Sequence, residues 1–271
     1  MKLSVSVYSL NKMISSKEMT IFDVLEFLAG KGVKYIELVD FYIPEDEDKA
    51  AVKECMDRLG LKVSSYSISN NFVADADQLQ KQRDYVKDSI RWADYFGTKL
   101  MRVFCANATD QYTYEQGLEM IVDSFRECTK AAEENGVTYA LENHGMFAGK
   151  ASQVKNILDS VGSPALKSTA DTGNFLLVCN DPVEAVSLLI DDIAHVHFKD
   201  FKKVESGGYE AQDGTHYIGT AIGDGQVDLK KIVALLREKG YDGFLSIEYE
   251  GSDADNLEAV THSIEFTNSI L

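Results

Sequence analysis

Cysteine is scarce in this chain, and its few cysteines are widely separated. Of 271 residues four are cysteines, and no two of them form a Cys-x-x-Cys pair: Cys55, Cys105, Cys128 and Cys179. This spacing excludes a zinc ribbon and a framework of disulfide bonds. We therefore expect reduced thiols, three of which fill space in the hydrophobic core.

Long hydrophobic runs are also missing. No apolar stretch approaches the roughly 20 residues that a membrane-spanning helix requires. The first residues, MKLSVSVYSLN, carry an apolar segment that is too short and too interrupted for a signal peptide, so we interpret them as a first strand. These features predict a cytoplasmic protein that has no membrane partner.

Positive charge is in short supply. Lysine and arginine number 27 against 44 aspartates and glutamates, which gives a formal net charge of -17. Such a chain repels a phosphate backbone, and this argues against nucleic acid as a partner. Acidic helix-like stretches such as PEDEDKAAVKEC indicate that ordinary surface acidity accounts for the excess.

What the chain does contain is a strand-then-helix rhythm from end to end. Between the strands, apolar residues recur at three- and four-residue steps, as at Leu118, Ile121, Val122, Phe125 and Cys128. Glycines follow the helical stretches and predict helix ends. Eight short apolar segments are the strand candidates: LSVSVYSL, KYIELVDFY, KVSSYSI, KLMRVFCA, VTYALEN, LKSTAD, IAHVHFKD and FLSIEYE.

Eight βα units of this length predict an α/β fold, a (β/α)8 TIM barrel that forms a single domain over residues 1–271. An open doubly wound sheet is the alternative. That fold usually has fewer strands and often a glycine-rich loop after the first strand, whereas SLNKMISS stands there in this chain. No linker or low-complexity segment divides the sequence.

Four ionisable side chains each end a strand-like segment in the second half of the chain: Glu142, Asp171, His197 and Glu248. In a TIM barrel these ends meet at the face where active sites form. Buried charges need partners, and three carboxylates with one imidazole suit a hard or borderline divalent cation. For any one of them alone, a satisfied polar residue at a strand end is the simpler explanation; four on consecutive strands favour a shared site.

The strand ends ALENHG, ADTGNF, HVHFKD and SIEYEG resemble those of the xylose isomerase-like TIM-barrel superfamily, and the resemblance covers the whole chain. It implies that Glu142, Asp171, His197 and Glu248 hold one divalent metal ion, with the second histidine of HVH as the ligand. Mn²⁺, Mg²⁺, Co²⁺ and Zn²⁺ all tolerate such ligands. Oligomeric state stays open, although members are often dimers or tetramers.

The resemblance further implies an isomerase or epimerase of a small sugar or sugar phosphate. The metal would stabilise an enediolate while Glu142 and Glu248 transfer protons. A dehydratase of a polyol-ketone such as an inosose is the alternative, because it starts with the same proton abstraction. An apurinic endonuclease, which needs three zinc ions and more histidines, and a non-catalytic sugar-binding protein are less well supported.

Five further residues are candidate substrate contacts, each with an alternative role. Lys199 and Arg102 are expected to bind a substrate oxygen, carboxylate or phosphate, or else to be a solvated lysine and a balancing charge; Glu37 has the same ambiguity. His144 faces the pocket or lies in a loop. Asn174 stands where many members of the superfamily carry a substrate-binding histidine.

Two other features are less decisive. His195 is predicted to support the structure and not to bind metal. The glycine-rich polar segment from Lys202 to Gly225 is expected to be a long loop, either a phosphate site or a mobile lid.

Overall fold

Eight parallel strands form the centre of the fold in the computed structural model, which describes residues 1–107, 109–251 and 255–271. With the three strands of a second, smaller sheet, the strands of the described residues are β1 (Lys2–Ser6), β2 (Tyr35–Val39), β3 (Lys62–Ser67), β4 (Leu100–Val103), β5 (Thr138–Glu142), β6 (Leu166–Asp171), β7 (Ile193–Phe198), β8 (Asp200–Val204), β9 (Tyr209–Glu210), β10 (His216–Thr220) and β11 (Phe244–Ile247). The order of the large sheet is β3-β2-β1-β11-β7-β6-β5-β4. It contains all eight predicted strands.

The barrel closes between β3 and β4 through irregular hydrogen bonds. The amide of Ile68, just beyond β3, donates to the carbonyl of Arg102 at 3.0 Å, and the Phe72 amide donates to the Cys105 carbonyl at 2.8 Å. The Arg102 amide in turn donates to Ser65 Oγ at 3.1 Å. The predicted TIM barrel is therefore confirmed, and its closure holds Arg102 at the rim.

Helices surround the barrel and cover the outer faces of the strands. They are α1 (Asn11–Ser15), α2 (Ile21–Gly30), α3 (Asp46–Leu59), α4 (Ala76–Asp88), α5 (Ile90–Tyr95), α6 (Tyr114–Asn135), α7 (Gly145–Ala148), α8 (Ala151–Val161), α9 (Asn174–Leu177), α10 (Pro182–Leu189), α11 (Leu229–Lys239) and α12 (Asn256–Ile270). The apolar stripe of α6 is buried at Ile121, Phe125 and Cys128. Gly136 then ends the helix at a φ of 62°, a left-handed conformation that favours glycine. None of the described helices is long and apolar enough to cross a membrane.

Three cysteines occupy the core, as the sequence predicts. Cys55, Cys105 and Cys128 are buried, whereas Cys179 is exposed. All four are free thiols.

Several strands end earlier than their apolar runs. The run LSVSVYSL leaves the sheet after Ser6, whose hydroxyl accepts a hydrogen bond from the Tyr8 amide at 3.3 Å and starts a 3-10 turn over Val7–Leu10. A second 3-10 turn, Asp40–Tyr42, cuts short the run KYIELVDFY. Hydrophobicity alone does not mark these ends, because the residues of both turns include apolar or aromatic side chains that continue the apolar run of the strand.

The expectation of a loop over the segment from Lys202 to Gly225 was wrong for much of its length. There β8, β10 and β9 form a small antiparallel sheet in the order β8-β10-β9. Half of its strand residues are charged or polar, and the clean alternation of apolar and polar residues that marks a half-buried strand is missing from the sequence. This sheet, here called the β8–β10 sheet, stands over the barrel mouth.

The buried carboxylate of Asp200 anchors the base of the β8–β10 sheet. It accepts backbone hydrogen bonds at 2.9 to 3.1 Å from four amides, those of Phe201, Gly223, Gly225 and Val227. A Cβ atom on Gly225 would lie 2.1 Å from Asp200 Oδ1, so the loop approaches the carboxylate more closely than another residue would allow. The segment that returns to the barrel is thereby tied to the end of β7.

Candidate metal centre at the barrel mouth

The four strand-end residues converge around one point. Glu142, Asp171, His197 and Glu248 each offer one ligand atom, and these atoms all lie within 4.8 Å of one another. His197 Nδ1 is 3.5 Å from Glu142 Oε2, 3.7 Å from Asp171 Oδ2 and 3.4 Å from Glu248 Oε2. The geometry is that of a potential binding site for one cation.

Parallel strand register brings these side chains together. Glu142 pairs with Thr169 across β5 and β6, Asp171 pairs with His197 across β6 and β7, and Ser246 pairs with His197 across β7 and β11. Glu248 comes just after β11, two residues beyond Ser246 and therefore on the same face. All four are nine-tenths buried or more.

The orientation of Asp171 is set by its neighbours. Its Oδ1 accepts hydrogen bonds from the amides of Gly173 at 3.0 Å and Asn174 at 2.8 Å, which leaves Oδ2 directed at the cluster. The side chain of Asn143 bonds both the amide and the carbonyl of Asp171, at 2.6 and 3.0 Å. Asn143 thus joins the ends of β5 and β6.

Glu37 orients the imidazole of His197 from below. Its Oε1 lies 3.0 Å from His197 Nε2, and its Oε2 lies 2.9 Å from His195 Nε2. Glu37, His195 and His197 are themselves grouped closely enough to hold a metal. Because these separations are ordinary hydrogen-bond lengths and all three side chains are fully buried, a hydrogen-bond network accounts for the trio.

This network leaves His197 Nδ1 facing the cluster. Both oxygens of Glu37 are bonded to histidines. This placement favours a role in orienting His197 over direct contact with a substrate. His195, which the sequence analysis predicted to be structural, shares the same carboxylate.

The electrostatics of the site are strongly negative. Four carboxylates that are almost completely buried, those of Glu37, Glu142, Asp171 and Glu248, face the two buried cations Arg102 and Lys199. A histidine that binds metal is neutral, and with both imidazoles neutral these described side chains leave two negative charges uncompensated. Uncompensated buried charge is costly, and a divalent cation would neutralise it.

Burial and neighbouring charges also shift the pKa values of the residues in the cluster. Burial raises the pKa of Glu142 to about 7 from an ordinary value of 4.5, although the charge of His197 opposes the shift. Burial also acts to raise the pKa of Glu248, but the positive charges of His197 and Lys199 outweigh it and hold that pKa below its ordinary value. The pKa of His197 lies well above its ordinary value, because Glu248 and Glu37 outweigh the effect of burial. The field at the centre therefore favours positive charge.

The residues present fit a divalent metal ion. Buried Glu142 Oε2 and His197 Nδ1 make no hydrogen bond within the described part of the chain, although Arg102 Nε lies 3.2 Å from Glu142 Oε2. Asp171 Oδ2 likewise has no hydrogen bond of good geometry, with Lys199 Nζ at 2.9 Å. Buried polar atoms seldom stay unpaired, and here they converge with the donor set that hard and borderline cations prefer.

Lys199 and Asn174 lie between the four-residue cluster and the cavity above it. Lys199 Nζ lies 2.9 Å from Asp171 Oδ2 and 2.8 Å from Glu248 Oε2. Asn174 donates to Glu142 Oε1 at 3.2 Å, and its own Oδ1 accepts from Lys199 Nζ at 3.3 Å. Both predicted residues are therefore in contact with the cluster.

Arg102 lies on the other flank. Its Nε is 3.2 Å from Glu142 Oε2, its Nη1 donates to the Ile68 carbonyl at 2.9 Å, and its guanidinium is 4.1 Å from the ring centre of Phe104. It is almost fully buried. This placement favours the balancing-charge role over a direct grip on substrate.

A cavity of about 460 Å³ opens above the centre. His144 lies at its exposed rim, with its ring 5.0 Å from that of Phe104. The cavity is lined by Tyr8, Asn143, His144, Gly145, Met146, Gly149, Asn174, Leu177, Val178, Lys199, Tyr209, Gln212 and Glu250. A cavity of this size can enclose a small molecule.

Glu250, Tyr209, Gln212 and Tyr8 line the cavity but were missed from the sequence. Glu250 could have been found, since it stands two residues after Glu248 in SIEYEG and shares its parity. Tyr209 and Gln212 come from the segment expected to be a loop. No local pattern marks them, because their position depends on how the β8–β10 sheet packs.

Comparison with known proteins identifies the barrel type. A family model described as a xylose isomerase-like TIM barrel matches residues 25–270. An inosose dehydratase of Lacticaseibacillus casei is 27% identical over 146 residues, which cover 51% of this chain and 46% of the relative. The match to such curated relatives thus takes in about half of their length.

Solved structures with this fold include metal-bound examples. The IOLI protein, crystallised with a zinc atom, has a TM-score of 0.80 at 18% identity, covering 100% of this chain and 98% of that one. A xylose isomerase-like TIM barrel protein of Mycobacterium smegmatis, in complex with magnesium, has a TM-score of 0.75 at 19% identity, covering 92% and 87%. An L-ribulose 3-epimerase has a TM-score of 0.78 at 16% identity, covering 100% and 95%. These likenesses show the shared fold.

Proposed function

The chain belongs to the xylose isomerase-like TIM-barrel family, and from this premise we propose that it is a divalent-metal-dependent isomerase or epimerase of a small sugar. The observation that carries the proposal is the pair Glu142 and Glu248. Both are buried, and their ligand atoms share one cluster with His197 and Asp171. Asn174 and Lys199, which line the cavity of about 460 Å³, contact Glu142 and Glu248 respectively.

The metal would be held by Glu142, Asp171, His197 and Glu248. When bound, such an ion polarises substrate oxygens and stabilises the negative charge that develops when a C–H proton leaves. Mn²⁺, Mg²⁺, Co²⁺ and Zn²⁺ are all compatible with three carboxylates and an imidazole.

Proton transfer falls to the two glutamates. Each has a cation of its own at short range, Arg102 Nε at 3.2 Å for Glu142 and Lys199 Nζ at 2.8 Å for Glu248. A positive neighbour stabilises a carboxylate after it has given up a proton, so each glutamate can act as acid and as base. Asn174 holds the other oxygen of Glu142 at 3.2 Å and limits its rotation.

The test is solvent-proton exchange. Ketoses, aldoses and inososes are incubated with metal-loaded protein in deuterated water, and incorporation at carbon is followed by NMR. Glu142→Gln and Glu248→Gln are each expected to reduce turnover by at least about 100-fold, the usual size of an acid–base contribution. Glu119→Gln, an exposed acid on α6, is the matched control and should keep full activity. Full turnover in both active-site variants would contradict the assignment of Glu142 and Glu248 as the acid–base pair.

A metal-dependent dehydratase is the second candidate, supported by two observations. Lys199 is a buried ammonium group beside Asp171 and Glu248 at the cavity floor, where it can protonate a departing hydroxyl. Relatives that match about half of the chain are inosose dehydratases. Mass spectrometry of the products decides between the two, because elimination removes water whereas isomerisation and epimerisation leave the mass unchanged.

A further inference from the structure

Glu250 faces the substrate cavity without being part of the metal cluster. Its side chain is 16% exposed, its Oε1 lies 3.3 Å from Lys199 Nζ, and its Oε2 accepts a hydrogen bond from the Tyr209 hydroxyl at 3.1 Å. It lines the cavity together with Tyr8, Asn174 and Gln212. No role in the chemistry proposed above is assigned to it.

The β8–β10 sheet holds Glu250 in place. Gly219 of β10 forms a parallel bridge with Gly251, and a Cβ atom on Gly219 would lie 2.5 Å from the carbonyl carbon and oxygen of Glu250. The backbone of the sheet therefore lies directly against residue 250. The ring of Tyr209, whose hydroxyl bonds the carboxylate, packs 5.3 Å from Phe201 of the same sheet.

The charge balance at this cavity is unfavourable for an anionic group on a substrate. Within the part of the chain that the structure describes, five carboxylates surround the centre and its cavity: Glu37, Glu142, Asp171, Glu248 and Glu250. Against them stand Arg102 and Lys199, so that even a bound divalent ion leaves one negative charge when the histidines are neutral. A phosphate or carboxylate on the substrate would find no net positive charge to receive it.

The described part of the lining offers few groups that bind anions. Among the described lining residues Lys199 is the single lysine, no arginine is present, and Lys199 already lies within 2.9 Å of two carboxylates. Lys12 lines a separate cavity of about 80 Å³ that shares Tyr8, Tyr209 and Glu250 as walls. Its amino group donates to the Gly251 carbonyl at 2.6 Å.

What the cavity does offer suits hydroxyl groups. Tyr8, Asn174, Tyr209 and Gln212 are neutral donors and acceptors, and Met146, Leu177 and Val178 provide apolar surface for C–H faces. A carboxylate such as Glu250 accepts strong, charge-assisted hydrogen bonds from hydroxyls. The same carboxylate repels a nearby anion, because like charges placed side by side are unfavourable.

Resting on the proposed function, we propose that Glu250 restricts this site to uncharged polyhydroxy substrates, by accepting hydrogen bonds from their hydroxyl groups and repelling phosphate and carboxylate groups. The substrate class is thus a neutral polyol-ketone or sugar, and its phosphate ester and acid analogues are rejected. Glu250 is a specificity-determining residue that touches substrate.

The test measures equilibrium binding to metal-loaded protein by calorimetry. The probes are matched pairs of neutral ketoses or inososes and their phosphate esters. In the wild-type protein the neutral member is expected to bind at least about tenfold more tightly than its ester. In Glu250→Gln, which removes the charge and keeps the shape, the preference should fall by a similar factor. Glu210→Gln removes the same charge from the exposed neighbour of Tyr209 and should leave the preference unchanged.

Tyr209→Phe separates the effect of the Glu250 charge from the effect of its hydrogen bond to the Tyr209 hydroxyl. It frees the carboxylate from its hydrogen bond but keeps the negative charge, so the preference against phosphate should persist while neutral ligands bind more weakly. An ester that binds wild-type protein as tightly as its neutral partner, a Glu250→Gln variant with unchanged preference, or binding by no neutral member would each overturn the inference. Selective binding of neutral members without deuterium exchange would sink the proposed function and leave this inference standing.

Discussion

Glu37 lies beneath the candidate metal centre and bonds both histidines of β7 through its two oxygens. A carboxylate that receives the Nε2 proton of a ligating histidine fixes the tautomer in which Nδ1 is free to bind metal. The pKa of Glu37 lies well below its ordinary value, because the charge of His197 and the histidine hydrogen bonds outweigh the effect of burial. The buried carboxylate of Glu37 would therefore hold the His197 imidazole with Nδ1 free for the candidate metal.

Replacing Glu37 by glutamine should weaken metal binding. The glutamine side chain would place an NH₂ group, which only donates, against the Nε2–H of one of the two histidines, which also donates. That imidazole must therefore turn or change its tautomer. We expect the metal affinity to fall roughly 10- to 100-fold, the usual effect of losing such a partner. Competition with a chromogenic chelator measures the affinity directly, with Glu119→Gln as control. An unchanged affinity would show that Glu37 does not set the orientation of His197.

Among the secondary-structure elements, the β8–β10 sheet is the addition that distinguishes this barrel from a plain run of eight βα units. Its base is held by the four amide bonds to Asp200, and its far side rests on the segment after β11 through the contact of Gly219 with Gly251. The sheet brings Tyr209 and Gln212 to the cavity. Its position thus shapes the cavity, while the candidate metal ligands come from other strands.

Gly219→Ala should disturb this contact. The added methyl group would lie 2.5 Å from the Glu250 backbone, which cannot give way as a flexible side chain could. We expect the free energy of unfolding to fall by about 1–3 kcal/mol and substrate binding to weaken. Gly30→Ala is the matched control, because a methyl group at the end of α2 would meet nothing within 4 Å. Urea denaturation compares the two, and equal midpoints would contradict the close approach.

In the whole molecule, the candidate ligands come from β5, β6, β7 and the end of β11, four consecutive positions around the barrel. An ion bound by all four residues would link four neighbouring strands of the eight-stranded sheet. Ligands that bind the native state alone stabilise it by mass action, about 2.7 kcal/mol at a free concentration 100 times the dissociation constant. Metal occupancy should therefore be visible in global unfolding.

This stabilisation should grow with pH. In the metal-free protein the folded pKa of Glu142 is about 7 and its ordinary value is 4.5, so its contribution to stability is present below 4.5 and is lost as pH rises through 7. Metal must displace the same proton, so its stabilising effect increases over that window. Urea unfolding with Mn²⁺ and with EDTA, at about pH 5.5 and about pH 7.5, measures the difference. A larger gain at the lower pH would contradict this sign.

Much of the architecture could be predicted because its signals are local. The three- and four-residue spacing of Ile121, Phe125 and Cys128 indicates a helix face, and Gly136 marks the helix end whatever the rest of the chain does. The convergence of Glu142, Asp171, His197 and Glu248 also follows from sequence, because parallel strands bring their carboxyl ends to one edge. Strand ends such as Ser6 were harder, since the turn that follows is as apolar as the strand.

The amino-acid sequence by itself determined the barrel and the four residues at its mouth, because a period-two strand pattern assigns each side chain to a face before any distant contact forms. Only the tertiary structure decided that Glu37 bonds His195 and His197 across about 160 positions, and that Tyr209 reaches Glu250. Those contacts depend on how strands are staggered and how an inserted sheet packs. Such relations join residues far apart in the chain and leave no periodic trace within it.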